Sequence, residues 1–201
     1  MRSLLAVVAA FALCTNEAFP QEGRQGRAPK PADFDKKYDG TWWLARSSQQ
    51  RSGFLEGSGD CLTWVARLRG FGDPSDELVE KVTHYYRTHP SNKGTPVIEV
   101  WRQLAGAEIV KEYKEGEVWR NPHWYLNGLW WRQSSEEARL GFLEGYLWCV
   151  KSCVSPRSGA YTLSASSYRS KIDDYVKKHA KADDEAIATI LGTFRDMPKE
   201  R

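Results

Sequence analysis

The chain has 201 residues, with 29 Lys and Arg against 26 Asp and Glu and a formal net charge of +3. So even a balance excludes the basic footprint of a nucleic-acid-binding surface, and the length suits one sizeable core. Nine Trp and nine Tyr must fill that core or line a binding surface.

Residues 1–18 read as a signal peptide. Arg2 supplies a positive start, and the apolar run from Leu4 to Cys14 is shorter than the ~20 residues of a membrane span. Ala10-Phe11-Ala12 and Ala18 are the alternative cleavage points. A lipid anchor through Cys14 is disfavoured by the bulky Leu13 before it. A periplasmic or secreted location follows from this reading. Residues 19–37, rich in Gly, Pro, Gln and charge, read as a flexible linker. No later segment is apolar enough to span a membrane.

The body is dominated by a repeat. Residues 40–61 read GTWWLARSSQQRSGFLEGSGDC, and residues 128–149 read GLWWRQSSEEARLGFLEGYLWC. The offset is 88 without gaps, and eleven of the 22 positions are identical. This predicts an internal duplication of a three-helix unit, forming an all-α, pseudo-twofold domain. Repeat 1 spans 38–106, a connecting segment spans 107–127, and repeat 2 spans 128–197.

Each copy opens on a turn dipeptide, Asp39-Gly40 or Asn127-Gly128, followed by a Trp pair. An exposed Trp would stack on a ligand, and a buried one would staple the chain to the next helix. The constant spacing predicts burial of at least one Trp per pair. Ser47 with Gln50, and Ser134 with Glu137, have capping-box spacing. The first helix then carries Phe54, Cys61, Leu62, Val65 and Leu68, matched by Phe142, Leu143, Tyr146, Cys149 and Val150. Gly53, Gly57, Gly141 and Gly145 strip bulk from one helix face, so that another backbone can approach.

The second helix follows Asp73-Pro74, an N-cap and a first-turn proline, with Leu78, Val79, Val82, Tyr85 and Tyr86 facing inward. Its counterpart, now at offset 90, carries Tyr168, Ile172, Tyr175 and Val176. His89 and His179 fall at the helix ends, where a cation suits the dipole. The third helix starts at Thr95-Pro96 with Val97, Val100, Trp101 and Leu104. Ile187, Ile190 and Leu191 match it, with Asp183 or Asp184 as the expected cap. Strand-like alternation is confined to Val118–Trp119 and Tyr161–Leu163.

Three cysteines follow the signal, an odd number in an oxidising compartment. The expected disulfide involves Cys149, with Cys61 or Cys153 as partner, leaving one thiol free. No zinc spacing, phosphate loop, dinucleotide fingerprint or nucleophile motif is present, so neither a metal nor a cofactor is expected. Glu56 and Glu144, one in each GFLEG, are the candidate catalytic residues. Two carboxylates sharing a cleft could hydrolyse a glycan. The structural reading is that each caps, pairs with an Arg such as Arg51 or Arg139, or points to solvent. It is favoured, because duplication by itself doubles an acid, whereas an acid/base pair needs two environments. The unrepeated Trp119, His123, Trp124 and Tyr125 are the candidate binding residues.

GFLEGSGDC and GFLEGYLWC, with THYYRTHP after the first, resemble a pattern of uncharacterised exported bacterial helical proteins. They are more distantly similar to the Rap/Tai immunity proteins, which neutralise type VI secretion amidases in the periplasm. That resemblance implies an all-helical fold and a protein partner rather than catalysis. The reading is therefore an exported, non-catalytic binding protein, immunity-protein-like in one form. The alternative is a cell-wall- or glycan-acting enzyme using Glu56 and Glu144.

Overall fold

The computed structural model describes residues 37–64, 68–69, 75–105, 111–112, 125–153 and 161–196. The expected signal peptide, residues 19–36 of the expected linker, Val65, Asp73-Pro74, Val118–Trp119, His123 and Trp124 lie outside the described residues, as does the Cys153 side chain. Within them the fold is all-α, with eight α-helices. A two-residue antiparallel pairing of β1 (Leu68–Arg69) with β2 (Lys111–Glu112) is the extended exception.

Asp39 accepts the backbone N–H groups of Thr41 and Trp42 and so caps α1 (Gly40–Leu44). Asn127 accepts the Trp130 N–H and caps α5 (Gly128–Gln133). The expected aromatic turns are therefore helices, and each half has four α-helices rather than three. A short polar side chain at the N-cap satisfies orphan N–H groups and lets the helix begin before the Trp pair.

The central pair is α2 (Ser48–Trp64) and α6 (Glu136–Cys153), the most extensive contact between elements. Ser47 caps α2 through the Gln50 N–H. Its counterpart is Ser135, which accepts the Ala138 N–H, and not Ser134. Ser134 closes α5 instead, donating its hydroxyl to the Trp130 carbonyl. The gap-free register already aligns Ser47 with Ser135.

The two helices run side by side in the same direction. A Cβ added to Gly53 would collide with the Ala138 carbonyl, and one on Gly57 with the Phe142 carbonyl. Gly141 meets the Gln50 carbonyl and Gly145 the Phe54 carbonyl in the same way. Ala138 and Phe142 stand 88 positions after Gln50 and Phe54. The contacts are thus reciprocal, as at an interface between twofold-related surfaces. Cys61 and Cys149, also 88 apart, close the pair with a disulfide whose Cα atoms are 6.0 Å apart.

The outer helices cover this pair. α3 (Asp76–Thr88) buries Val79, Val82, Thr83 and Tyr86, and α7 (Ala165–Lys178) buries Tyr168, Ile172 and Val176. The α3 cap is Ser75, through the Leu78 N–H. α4 (Val97–Ala105) buries Val97, Ile98, Val100 and Trp101, whereas Leu104 is exposed rather than inward. α8 (Ile187–Gly192) buries Ile187, Ile190 and Leu191. Its N-cap is Ala186, with no side-chain cap. Asp183 is drawn away by Arg132, whose Nε donates to it at 2.6 Å. Leu68 lies on β1 and not on the α2 face, because α2 ends at Trp64. Tyr161–Leu163 is loop.

His89 and His179 end α3 and α7 in matching ways. Each donates from Nδ1 to a carbonyl four residues back, Tyr85 at 3.0 Å and Tyr175 at 2.8 Å. Each ring stacks on that same tyrosine. Orphan carbonyls of the last helical turn are thereby satisfied.

Candidate functional site

The Trp pairs decide how the short helices dock. Trp43 and Trp131 are fully buried. Trp43 Nε1 donates to the Thr83 hydroxyl at 3.0 Å, and Trp131 Nε1 to the Asp173 carboxylate at 2.7 Å. Arg51 and Arg139 sit over these rings, each 5.8 Å from the centroid. Arg51 also donates to Thr83 and the Trp43 carbonyl, and Arg139 to Asp173. Both arginines are thus committed to the Trp docks. Neither holds Glu56 or Glu144, so the expected Arg–Glu pairing does not occur.

The two glutamates instead meet different surroundings on the α2–α6 pair. Glu144 accepts a hydrogen bond from Gln50 Nε2 across the helix pair at 2.8 Å. The capping-box side chain of α2 is therefore spent on the other helix. In the same half, the Arg46 guanidinium lies over the Trp42 ring, 5.5 Å from its centroid. Trp42 is 8% exposed and packs against Tyr38 and Phe54.

Moving each of these positions by 88 gives the surroundings of Glu56. Trp42 becomes Trp130, Arg46 becomes Ser134, Gln50 becomes Ala138, and Glu144 returns to Glu56. Trp130, Ser134, Ala138 and Glu56 indeed line one cavity of about 350 Å³. The two long, nitrogen-bearing side chains have been cut back to a hydroxymethyl and a methyl. Trp130 packs on Phe142, as Trp42 does on Phe54, but remains only half-buried. Among the described residues, Glu56 receives no hydrogen bond.

This groove has its own electrostatics. Asp76, the first residue of α3, lines it beside Glu56, as do Ser48 and Ser52 of α2 and Ser135 at the start of α6. No Lys, Arg or His is among its described lining residues. Burial pushes the Glu56 carboxyl up to about 7, and the nearby Asp76 charge adds to the rise. A carboxyl without a donor or a cation loses the usual compensation for leaving water. Glu144 does not line this cavity. The structure therefore does not gather Glu56 and Glu144 into one cleft.

A larger, open hollow of about 570 Å³ runs along α3 past Glu80, His84 and Leu104. It follows a solvated helix face and holds neither of the repeated glutamates. Among the described residues, no three His, Cys, Asp or Glu side chains are grouped to hold a metal ion. No described helix is long and apolar enough to cross a membrane. Of the expected binding residues, Tyr125 is half-buried against the core. Trp119, His123 and Trp124 lie outside the described residues.

Asp76 is the site residue that sequence reasoning passed over, and Trp130 was weighed only as a member of its Trp pair. Asp76 carries no local signal, since an acid in a first helical turn is ordinary. Trp130 had one. Its copy differs from the first copy by loss of the two long side chains beside it, at 134 and 138. No family model matches the chain, and no characterised protein or solved structure is detectably similar to it.

Proposed function

We propose that the protein is an exported, non-catalytic binding module built on a duplicated helical unit, with a protein as its partner. Immunity to a secreted effector is one form of this role. The observation that supports it most directly is the separation of the repeated acids. Glu144 is tied to Gln50, and Glu56 lines a groove that excludes Glu144. A hydrolytic pair has to flank one scissile bond, with its carboxyls roughly 5–10 Å apart. The described Trp pairs also pack mainly inward, which makes them parts of the core before they are parts of a carbohydrate platform.

One observation favours the enzyme reading. Glu56, raised to about 7 beside Asp76, has the proton affinity of a general acid. The discriminating experiment incubates the purified full chain with peptidoglycan and measures released muropeptides and reducing ends. The expected result is no release above a heat-treated control. Release that disappears in Glu56→Gln or Glu144→Gln would replace the binder with a glycan-acting enzyme. In parallel, Trp124→Ala is expected to weaken capture of a periplasmic partner at unchanged melting temperature.

A further inference from the structure

The positions 88 residues away are a template for what the groove lacks. At the equivalents of Trp130 and Glu56, side chains of this chain make the contacts: a guanidinium lies over Trp42, and an amide N–H donates to the Glu144 carboxylate. Around Glu56, the same backbone positions carry Ser134 and Ala138, which reach neither the Trp130 face nor the carboxylate. The Trp face and the acid are retained, while the two groups that satisfy them are gone.

A single arginine side chain supplies both missing groups. Its planar face stacks on an indole, and its forked N–H donors match a carboxylate. Lysine offers a point charge without that plane. Asp76 brings a second carboxylate to the same cavity, which suits a cationic guest in a chain whose overall charge is +3. The serine hydroxyls at 48, 52 and 134 can accept the remaining N–H groups. The cavity, about 350 Å³, admits one side chain rather than a folded segment.

We infer that the groove between Trp130 and Glu56 is a docking site for an arginine side chain of a partner polypeptide, held by stacking on Trp130 and N–H donation to Glu56. This deepens the binding reading and rests on it. Arg46 and Gln50 play the guest in the other half of the same molecule.

The test uses the full chain labelled with 5-fluorotryptophan, with the Trp130 resonance assigned through Trp130→Phe. The probe is the peptide acetyl-Gly-Arg-Gly-amide, with the citrulline analogue as its neutral isostere. A saturable Trp130 shift is expected with the arginine peptide, at least tenfold weaker with citrulline. Ser134→Arg combined with Ala138→Gln restores those contacts and should weaken the arginine peptide at least tenfold. Glu56→Gln should do the same, and it guards against misfolding of the double variant. Absence of a saturable Trp130 shift, or a shift that survives both variants, would overturn the site. The peptidoglycan assay reads the broader proposal separately. Glycan turnover would sink the non-catalytic role without touching the titration, whereas a failed titration leaves the non-catalytic role standing.

Discussion

The half that holds Glu144 and the half that holds Glu56 carry these acids at corresponding positions on α6 and α2, each within the pentapeptide GFLEG. Their glutamates nevertheless meet different surroundings. Glu144 has the Gln50 amide at 2.8 Å, and Glu56 has a methyl group at the corresponding position and Asp76 as a neighbour. The lesson is that an acid's chemistry is set across the helix pair and not along its own helix. A residue is paired with the neighbour its partner helix brings, and that neighbour differs between the two halves. Function then has room to appear in one half while the other keeps the scaffold closed.

The comparison depends on α2 and α6 staying in register, and the largest expected effect comes from cutting the bond that fixes it. Cys61→Ala removes a cross-link between residues 88 apart. Chain entropy puts that loss at about 4–5 kcal/mol, to be read from urea unfolding of the variant against the oxidised parent. A change under about 1 kcal/mol would mean that glycine packing alone sets the register.

The packing can be broken next. Gly57→Ala or Gly145→Ala places a Cβ inside the opposite backbone, and side chains have no freedom to absorb a clash with a carbonyl. A loss of roughly 1–3 kcal/mol is expected from overpacking, with Gly57→Leu worse. Denaturant midpoints of the two variants should fall together, because their contacts are reciprocal. Unequal losses would show that the two faces of the pair are not mechanically alike.

The third prediction sharpens the electrostatic difference. Glu56 has a folded-state pKa raised from 4.5 to about 7. Between those values the native state binds the proton that the unfolded state has released, so stability is full below pH 4.5 and falls as pH rises to 7. The loss should be roughly 3 kcal/mol over that window. Thermal melts across pH 4–8 should show the slope, and Glu56→Gln should remove its share. Ala138→Gln gives Glu56 the donor that Glu144 already has, and should lower the Glu56 pKa by about one unit in a carbon-detected NMR titration. A Glu56 pKa unmoved by Ala138→Gln would show that the two halves do not superpose in detail.

The smallest effect is the loss of the filling side chain itself. Gln50→Ala removes the bond to Glu144 and should cost about 1 kcal/mol. Unchanged stability would indicate that water replaces the amide without loss.

Much of the scaffold was legible in the residues. The offset of 88 and the spacing of Gly53, Gly57, Gly141 and Gly145 put the two GFLEG helices together, and the structure places them in contact. The apolar faces of α3 and α7 follow from Val79, Val82 and Tyr86, and from Tyr168, Ile172 and Val176, at helical spacing. Errors gathered at boundaries. Ser134 stood in for Ser135 because Ser134 has a Glu three residues on, whereas Ser135 is followed by Ala138, and Asp183 was claimed by Arg132 across 51 residues of sequence. Leu104 kept the helical spacing but fell near the end of α4, where no described neighbour covers it.

The site was less legible. Sequence named Glu56 and Glu144 as equals, since identical pentapeptides carry identical local information. It could not show that Arg51 and Arg139 are held by Thr83 and Asp173 beneath the Trp docks, nor that Asp76 faces Glu56 from another helix. Such contacts join residues distant along the chain, and no local pattern encodes them.

The amino-acid sequence by itself determined the helical class, the repeated unit and the glycine face along which its copies meet, because periodicity and bulk are properties of neighbouring residues. Only the tertiary structure decided that Cys61 pairs with Cys149, that Gln50 satisfies Glu144, and that Glu56 is left in an acidic, Trp-walled groove. Those outcomes depend on which side chains two packed helices bring within hydrogen-bond reach, and on how far each is withdrawn from water.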